Sequence, residues 1–193
     1  MRKLMVLEMV TLDGVMQAPG GKEEDTRNGF KHGGWAAAYH DEVKMKIMGR
    51  GMARRGALLF GRNTYEHFFK VWPGRTDNPY TEVLDNTQKY VVSRTLNEPL
   101  PWKNSTLLKG DAEETVAALK QDSDVDLTIL GSGELVRSLV RRNLIDQFVL
   151  LIHPLILGAG QRMFEHDGTL ARFKLTESVP TTTGVIIATY ELA

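Results

Sequence analysis

Arginine, serine, threonine and paired glycines recur in this chain where they can hold phosphate. Gly61-Arg62-Asn63-Thr64, Ser93-Arg94 and Gly131-Ser132-Gly133-Glu134-Leu135 each follow a short apolar run. Glycine lets backbone approach a ligand closely, and the free N–H groups of a helix's first turn favour an anion. Arginine meets phosphate with two parallel hydrogen bonds. If the apolar runs are parallel strands, their carboxyl ends share one sheet edge, outside which ligands bind. Three such turns side by side suit a ligand with several phosphates, and a dinucleotide is the natural candidate. Each turn alone is weak evidence. Gly-x-Gly answers to any sharp strand-to-helix turn, and Val136 stands where the dinucleotide fingerprint wants a third glycine or alanine.

The elements that must position these turns can be read from apolar periodicity. Leu127 to Leu130 and Phe148 to Ile152 are of strand length, and between them Leu135, Val136, Leu139 and Val140 share a helical face. This is a strand–turn–helix–strand unit with a right-handed crossover expected. Lys3 to Val10, Ala57 to Phe60, Tyr90 to Val92 and Thr106 to Leu108 read as further strands. Trp35 to Arg55 reads as one helix. Tyr65, Phe68, Phe69 and Trp72 form an amphipathic core stripe stopped by Pro73-Gly74. Tyr80, Val83 and Leu84 suggest a short helix, and Asp111 with Glu114 a capped one. Gln17 to Gly34 is a long polar loop that covers a site or moves, and Leu96 to Asn104 is a second loop. Phe173 to Val179 and Gly184 to Leu192 follow one another directly as strands. The expectation is one α/β domain over residues 1–193, a mostly parallel central sheet flanked by helices with an antiparallel C-terminal edge.

Composition excludes several classes. Lys+Arg and Asp+Glu stand at 24 each, so no global field recruits nucleic acid or membrane. With no cysteine there is no disulfide, thiolate metal site or cysteine nucleophile. His32, His40, His67, His153 and His166 lack metal-ligand spacing, so no metal is expected. The opening Met-Arg-Lys-Leu-Met-Val lacks a signal-peptide pattern, and a cytoplasmic location is expected.

Taken together the motifs resemble a known group. Gly61-Arg62-Asn63-Thr64-Tyr65-Glu66 resembles the Gly-Arg-x-Thr-x-Glu signature of the dihydrofolate reductase superfamily. Val91-Val92-Ser93-Arg94 and Leu130-Gly131-Ser132-Gly133 look like its second and third cofactor strands. Thr11-Leu12-Asp13-Gly14 and the run His153 to Phe164, with Leu157-Gly158-Ala159-Gly160, are closer to the reductase domain of the bifunctional riboflavin-biosynthesis deaminase-reductase. The resemblance implies a dihydrofolate-reductase-like fold, a homodimer and NADPH as cofactor. Arg62, Asn63 and Thr64, after Gly61, would bind its pyrophosphate and neighbouring phosphate. Ser93 and Arg94 would hold the adenosine ribose and 2′-phosphate. Gly131, Ser132, Gly133, Glu134 and Leu135 would contact the pyrophosphate and nicotinamide side. The implied activity is reduction of a small pyrimidine- or pterin-like heterocycle, as in the 5-amino-6-(5-phosphoribosylamino)uracil reductases.

Two departures bear on the substrate. The early Leu-Pro-Trp element that pairs with folate is absent, Leu100-Pro101-Trp102 lying far downstream. The usual Asp-Glu after the organising helix is Asp146-Gln147. On the substrate side Asp13 is the candidate catalytic residue, for hydrogen bonding or proton delivery, and an Asp-Gly turn residue is the equal alternative. Trp35, Tyr39 and His40 are candidate pocket walls. The rival to an enzyme is a non-catalytic NADP(H)-binding module of the same fold. For dimerisation the expected surface is the last strand, placed at the sheet margin with apolar residues on both faces.

Overall fold

The computed structural model describes residues 2–53, 56–122, 124–164 and 168–193. In chain order the elements are β1 (Leu4–Thr11), α1 (Glu42–Ala53), β2 (Ala57–Gly61), α2 (Arg62–Val71), α3 (Tyr80–Asn86), β3 (Lys89–Ser93) and β4 (Ser105–Lys109). Then follow α4 (Ala112–Asp122), β5 (Leu127–Leu130), α5 (Gly133–Arg141), β6 (Gln147–His153), β7 (Phe173–Pro180) and β8 (Ile186–Leu192). The strands form one sheet in the order β4-β3-β2-β5-β1-β6-β8-β7. From β4 to β6 every pairing is parallel, and β8 joins both β6 and β7 antiparallel. The expected class, a mostly parallel sheet with an antiparallel C-terminal edge, is the observed one.

The inner strands are continuous apolar runs because both of their faces are covered. Leu4, Val6 and Val10 of β1 join Leu59, Ile129 and Phe148 on one face, under Val116 of α4 and Val136, Leu139 and Val140 of α5. Leu7 joins Phe60, Val91, Leu130 and Leu151 on the other, under Ile47 of α1, Tyr65 and Phe68 of α2 and Leu84 of α3. The aromatic stripe of α2 is therefore core, as its spacing predicts.

Three expectations are corrected. The helix expected from Trp35 to Arg55 is broken: a short 3-10 turn, Trp35–Tyr39, ends before α1 begins at Glu42. Asp41 causes the break. Its Oδ1 accepts the Val43 and Lys44 N–H groups as a helix cap, while Oδ2 accepts the backbone N–H and hydroxyl of Thr182. The expected end of that helix at Arg55 lies outside the described residues, as does His166. Second, the two strands of the strand–turn–helix–strand unit are not neighbours, because β1 is inserted between β5 and β6. Third, the last strand is not marginal. β7 forms the margin with mostly exposed residues, and β8 lies inside it, with Ile187 buried and Ile186 exposed. No helix among the described residues is long and apolar enough to cross a membrane.

Asp146 fastens the amino end of the sheet. Its Oδ2 accepts the Leu4 N–H and the Lys120 ammonium, each at 2.6 Å. Lys120 also donates to the Leu144 carbonyl at 2.7 Å. Asp146→Ala leaves a buried ammonium and a backbone donor without their acceptor, and should cost about 2–4 kcal/mol. Urea denaturation checks this, with Asp146→Asn, which keeps an acceptor, expected to lose less.

Candidate functional site

β3, β2 and β5 are adjacent and parallel, so the three turns lie side by side at one carboxyl edge. The turns after β2 and β5 are joined directly, the Gly61 N–H donating to Ser132 Oγ at 3.0 Å. This needs two successive left-handed residues, Gly131 at φ 69° and Ser132 at φ 65°. A methyl on Gly131 would lie 3.4 Å from Thr64 Cγ2, so Thr64 packs on the turn. Because Ser132 reaches across to Gly61, its hydroxyl does not cap its own helix. The N-cap of α2 is Gly61, which has no side chain to offer. Two helices therefore present first-turn N–H groups without side-chain caps, the condition that favours a bound anion.

The flanking side chains are placed unequally. Arg62, Asn63 and Arg94 are exposed, and neither guanidinium has a partner among the described residues. Ser93 is buried, and its Oγ accepts the Thr95 and Leu96 N–H groups at 3.1 Å each. Its hydroxyl thus shapes the turn that presents Arg94. Glu134 pairs with Arg27 at 3.3 Å, which ties the 17–34 loop to the first turn of α5. Leu135 turns its side chain into the core, so toward a ligand it offers only backbone.

That loop is held rather than loose. The buried Gln17 donates to the Asp25 and Arg27 carbonyls and accepts the Gln161 N–H. Glu24 gathers the Gly20 and Gly21 N–H groups. Asn28, Glu134, Arg137, Gly160, Gln161, Arg162 and Phe164 line a cleft of about 440 Å³ beside the start of α5.

Asp13 stands at the end of β1 as a hydrogen-bond acceptor. Its Oδ1 accepts from the Thr11 hydroxyl at 2.5 Å and the Leu157 N–H at 3.3 Å, and Oδ2 accepts the Gly158 N–H at 2.9 Å. Desolvation opposes ionisation, but these donors outweigh it and hold the carboxyl below its ordinary range. An ionised carboxylate pinning the 154–160 loop to the end of β1 has no proton to give at neutral pH. Of the candidate walls, Tyr39 is partly buried with its ring 5.4 Å from that of His153, and Trp35 lies 5.0 Å from the same ring. Trp35 also donates its indole N–H to the Gln17 carbonyl, and His40 is exposed.

Sequence reading missed three buried polar groups around this edge. His153 ends β6 fully buried, its Nδ1 2.9 Å from the Leu151 carbonyl, and burial pushes its pKa down. Lys44 is buried on α1, where desolvation lowers its pKa against the nearby Asp41 charge. Glu8 lies in β1 at 5% exposure, and desolvation, with the charge of Glu24 adding to it, raises its pKa to about 8. The signal for Glu8 was an acid inside an otherwise apolar strand.

Comparisons with known proteins agree on the architecture. The family model described as the RibD C-terminal domain matches residues 2–187. Two uncharacterized Bacillus subtilis (strain 168) proteins are similar. YyaP is 27% identical over 138 residues, 69% of this chain and 72% of its own. YwjB is 28% identical over 127 residues, 62% of this chain and 66% of its own. Among solved structures, a putative riboflavin biosynthesis protein from Shewanella sp. PV-4 superposes with a TM-score of 0.68 at 20% identity, covering 100% of this chain and 99% of that one. A pyrimidine reductase-like protein from Corynebacterium diphtheriae gives 0.67 at 13% identity, covering 100% and 92%. Dihydrofolate reductase from Enterococcus faecalis, complexed with NADP(H), gives 0.61 at 16% identity, covering 98% and 96%.

The state of Glu8 makes stability depend on pH. Its folded pKa, about 8, stands above the unfolded value of 4.5, so the folded chain holds a proton that the unfolded chain releases between them. Stability contributed by the neutral acid is full below the unfolded pKa and is lost as pH rises through the folded one. The slope across this window should approach about 1.4 kcal/mol per pH unit. Urea titrations from pH 5 to 8 check it: the wild type should lose stability steadily relative to Glu8→Leu, and parallel curves would contradict it.

Proposed function

We propose that this chain, which belongs to the RibD C-terminal domain family, is a cytoplasmic NADPH-dependent reductase of a small pyrimidine- or pterin-like heterocycle. One observation carries the reading. Two helix N-termini without side-chain caps and two arginines with no partner among the described residues meet at three adjacent strand ends, a cradle for an elongated, multiply phosphorylated ligand. The left-handed Gly131 and Ser132 carry the chain from β5 straight into α5 at that edge.

When bound, NADPH supplies the hydride, and the chain supplies orientation and polar partners. Arg62, Asn63 and Thr64 at the start of α2, with Gly131 to Leu135 at the start of α5, would hold the pyrophosphate. Arg94, on the turn set by Ser93, would take the 2′-phosphate, which supports NADPH over NADH. Asp13 keeps the 154–160 loop closed on the end of β1, next to Trp35, Tyr39 and His153, where a flat heterocycle would be excluded from water. NADPH consumption measured against pterins, pyrimidines and quinones tests the activity. Tight NADPH binding without turnover of any of them would instead favour a binding module.

Arg94→Ala should weaken NADPH binding by about 1.5–3 kcal/mol, the range for hydrogen bonds to charged groups, and NADH binding much less. Equal losses for both cofactors in fluorescence titrations would remove Arg94 from this role.

Homodimerisation belongs to the same reading. Leu175, Ile186 and Leu192 remain exposed on the last two strands, an apolar margin that a second copy would cover. Light scattering at micromolar concentration should give twice the 21.6 kDa chain mass. Ile186→Asp should then release a folded monomer, because Ile186 is exposed, whereas Ile187→Asp should unfold the chain. A wild-type monomer mass sinks the dimer.

A further inference from the structure

β1 and β5 pair only from Leu4↔Leu127 to Leu7↔Leu130, where β5 leaves the sheet at Gly131. β1 runs on to Thr11 beside β6, so its β5 side beyond Leu7 faces a gap instead of a strand. Backbone direction alternates along a strand. The Lys3 carbonyl accepts from Leu127, and the Leu4 carbonyl accepts from Asp146 at the start of β6. Odd residues of β1 therefore point their backbone groups toward β5, and the Met9 N–H points into the gap. It finds no strand acceptor there. The carboxyl of its own neighbour takes the place, Glu8 Oε1 accepting the Met9 N–H at 3.0 Å. The Glu8 head is thereby lodged between the ends of β1 and β5.

This gap is where the sheet reverses its direction of winding. The path from β5 to β6 crosses one face through α5, and the path from β1 to β2 crosses the other through α1. Ligands of open α/β sheets bind at such a switch point. Glu8 is 5% exposed, and its Oε2 is buried without a hydrogen-bond partner among the described residues. Burial keeps the carboxyl protonated at neutral pH, and with Oε1 accepting, the proton belongs on Oε2. A buried O–H without an acceptor is costly, and the bond that Oε1 accepts from Met9 needs no proton on Oε2. Oε1 serves the fold through Met9, and Oε2 has no such use among the described residues.

We propose that Glu8 is a ligand-contacting residue whose carboxyl O–H, in the gap between β1 and β5, donates to a carbonyl oxygen or ring nitrogen of a bound heterocycle. The inference rests on the reductase reading for the two sources of that acceptor, the nicotinamide ring of NADPH or the ring it reduces. Both present an uncharged acceptor on a flat ring, and both must approach this switch point for hydride to pass.

Carbon-13 NMR of protein labelled at the glutamate carboxyl carbon, with the Glu8 signal assigned by its loss in Glu8→Gln, tests the contact without turnover. NADPH, uracil, biopterin and menadione are added singly, and each heterocycle again with NADPH present. A Glu8 shift on NADPH alone supports the contact and assigns it to the cofactor. A shift that appears only with a heterocycle supports it and assigns it to the substrate. Whichever ligand moves the signal should bind Glu8→Leu about tenfold more weakly, while Glu8→Gln, which keeps a donor, should stay within about threefold. A signal unmoved by every addition overturns the proposal, as does a ligand that binds Glu8→Leu as tightly as wild type. The wild-type NMR decides even if a variant fails to fold. If wild type binds no NADPH, the cofactor reading fails separately, and the Glu8 signal is judged on the heterocycles.

Discussion

The position of β1 between two parallel neighbours governs the rest of the molecule. A strand paired on both sides and covered on both faces must be apolar nearly throughout, and Leu4, Val6, Leu7 and Val10 meet that requirement. Parallel pairing then sends the carboxyl ends of β3, β2, β5, β1 and β6 to a single edge, so every turn with chemistry in it arrives at the same place. The two edges are finished differently. At the amino edge Asp146 satisfies the Leu4 N–H and the Lys120 ammonium. At the carboxyl edge the Ser132 hydroxyl joins the β5 turn to β2. One edge closes its polar groups upon itself, and the other leaves backbone donors open.

That openness has a structural cost. A serine at an N-cap normally stabilises its helix by about 1 kcal/mol, and here Ser132 gives that up to hold Gly61. α2 begins at a glycine with no cap at all. By contrast α1 and α4, whose starts face no phosphate-type turn, are capped by Asp41 and Asp111. The chain thus caps α1 and α4 with aspartates and leaves both helices of the candidate site without a side-chain cap.

Most of this frame was legible in local sequence because apolar runs and turn residues respond to local rules. Leu127 to Leu130 is a strand at its expected bounds, and the Tyr65, Phe68, Phe69, Trp72 spacing marks a buried helix face. What local pattern does not encode is which strands meet. The insertion of β1 between β5 and β6, and of β8 between β6 and β7, depends on pairs far apart in the chain, such as Leu4 with Leu127 and Gln147 with Glu191, beyond any periodicity window. The break at Asp41 escaped for a related reason. Tyr39, Val43 and Ile47 keep helical spacing across it, while the partner that holds Asp41 outside the helix is Thr182, at the far end of the chain. Trp102 likewise read as a loop residue, yet it is buried, its indole N–H on Asp85 and its ring 4.6 Å from the Lys89 ammonium. At the site itself the residue types were legible and their commitments were not. The Leu157 and Gly158 donors that occupy Asp13 come from a loop more than a hundred residues on, while Ser93 is taken up by its own turn through Thr95 and Leu96.

Asp13 and Glu8 show how those commitments sort two like groups. Both acids lie in the last stretch of β1 or just beyond it, five positions apart in the chain. Asp13 collects three donors, from Thr11, Leu157 and Gly158, and is held ionised despite its desolvation. Glu8 collects one, the Met9 N–H, in surroundings that strip away water, and is held neutral. Two carboxyls of one chain segment thus have their pKa values driven in opposite directions by their surroundings alone. The sequence offers Asp13 for hydrogen bonding or proton delivery, with an Asp-Gly turn residue as the equal alternative. Its donors keep Asp13 an acceptor, while burial holds the Glu8 carboxyl above its ordinary range.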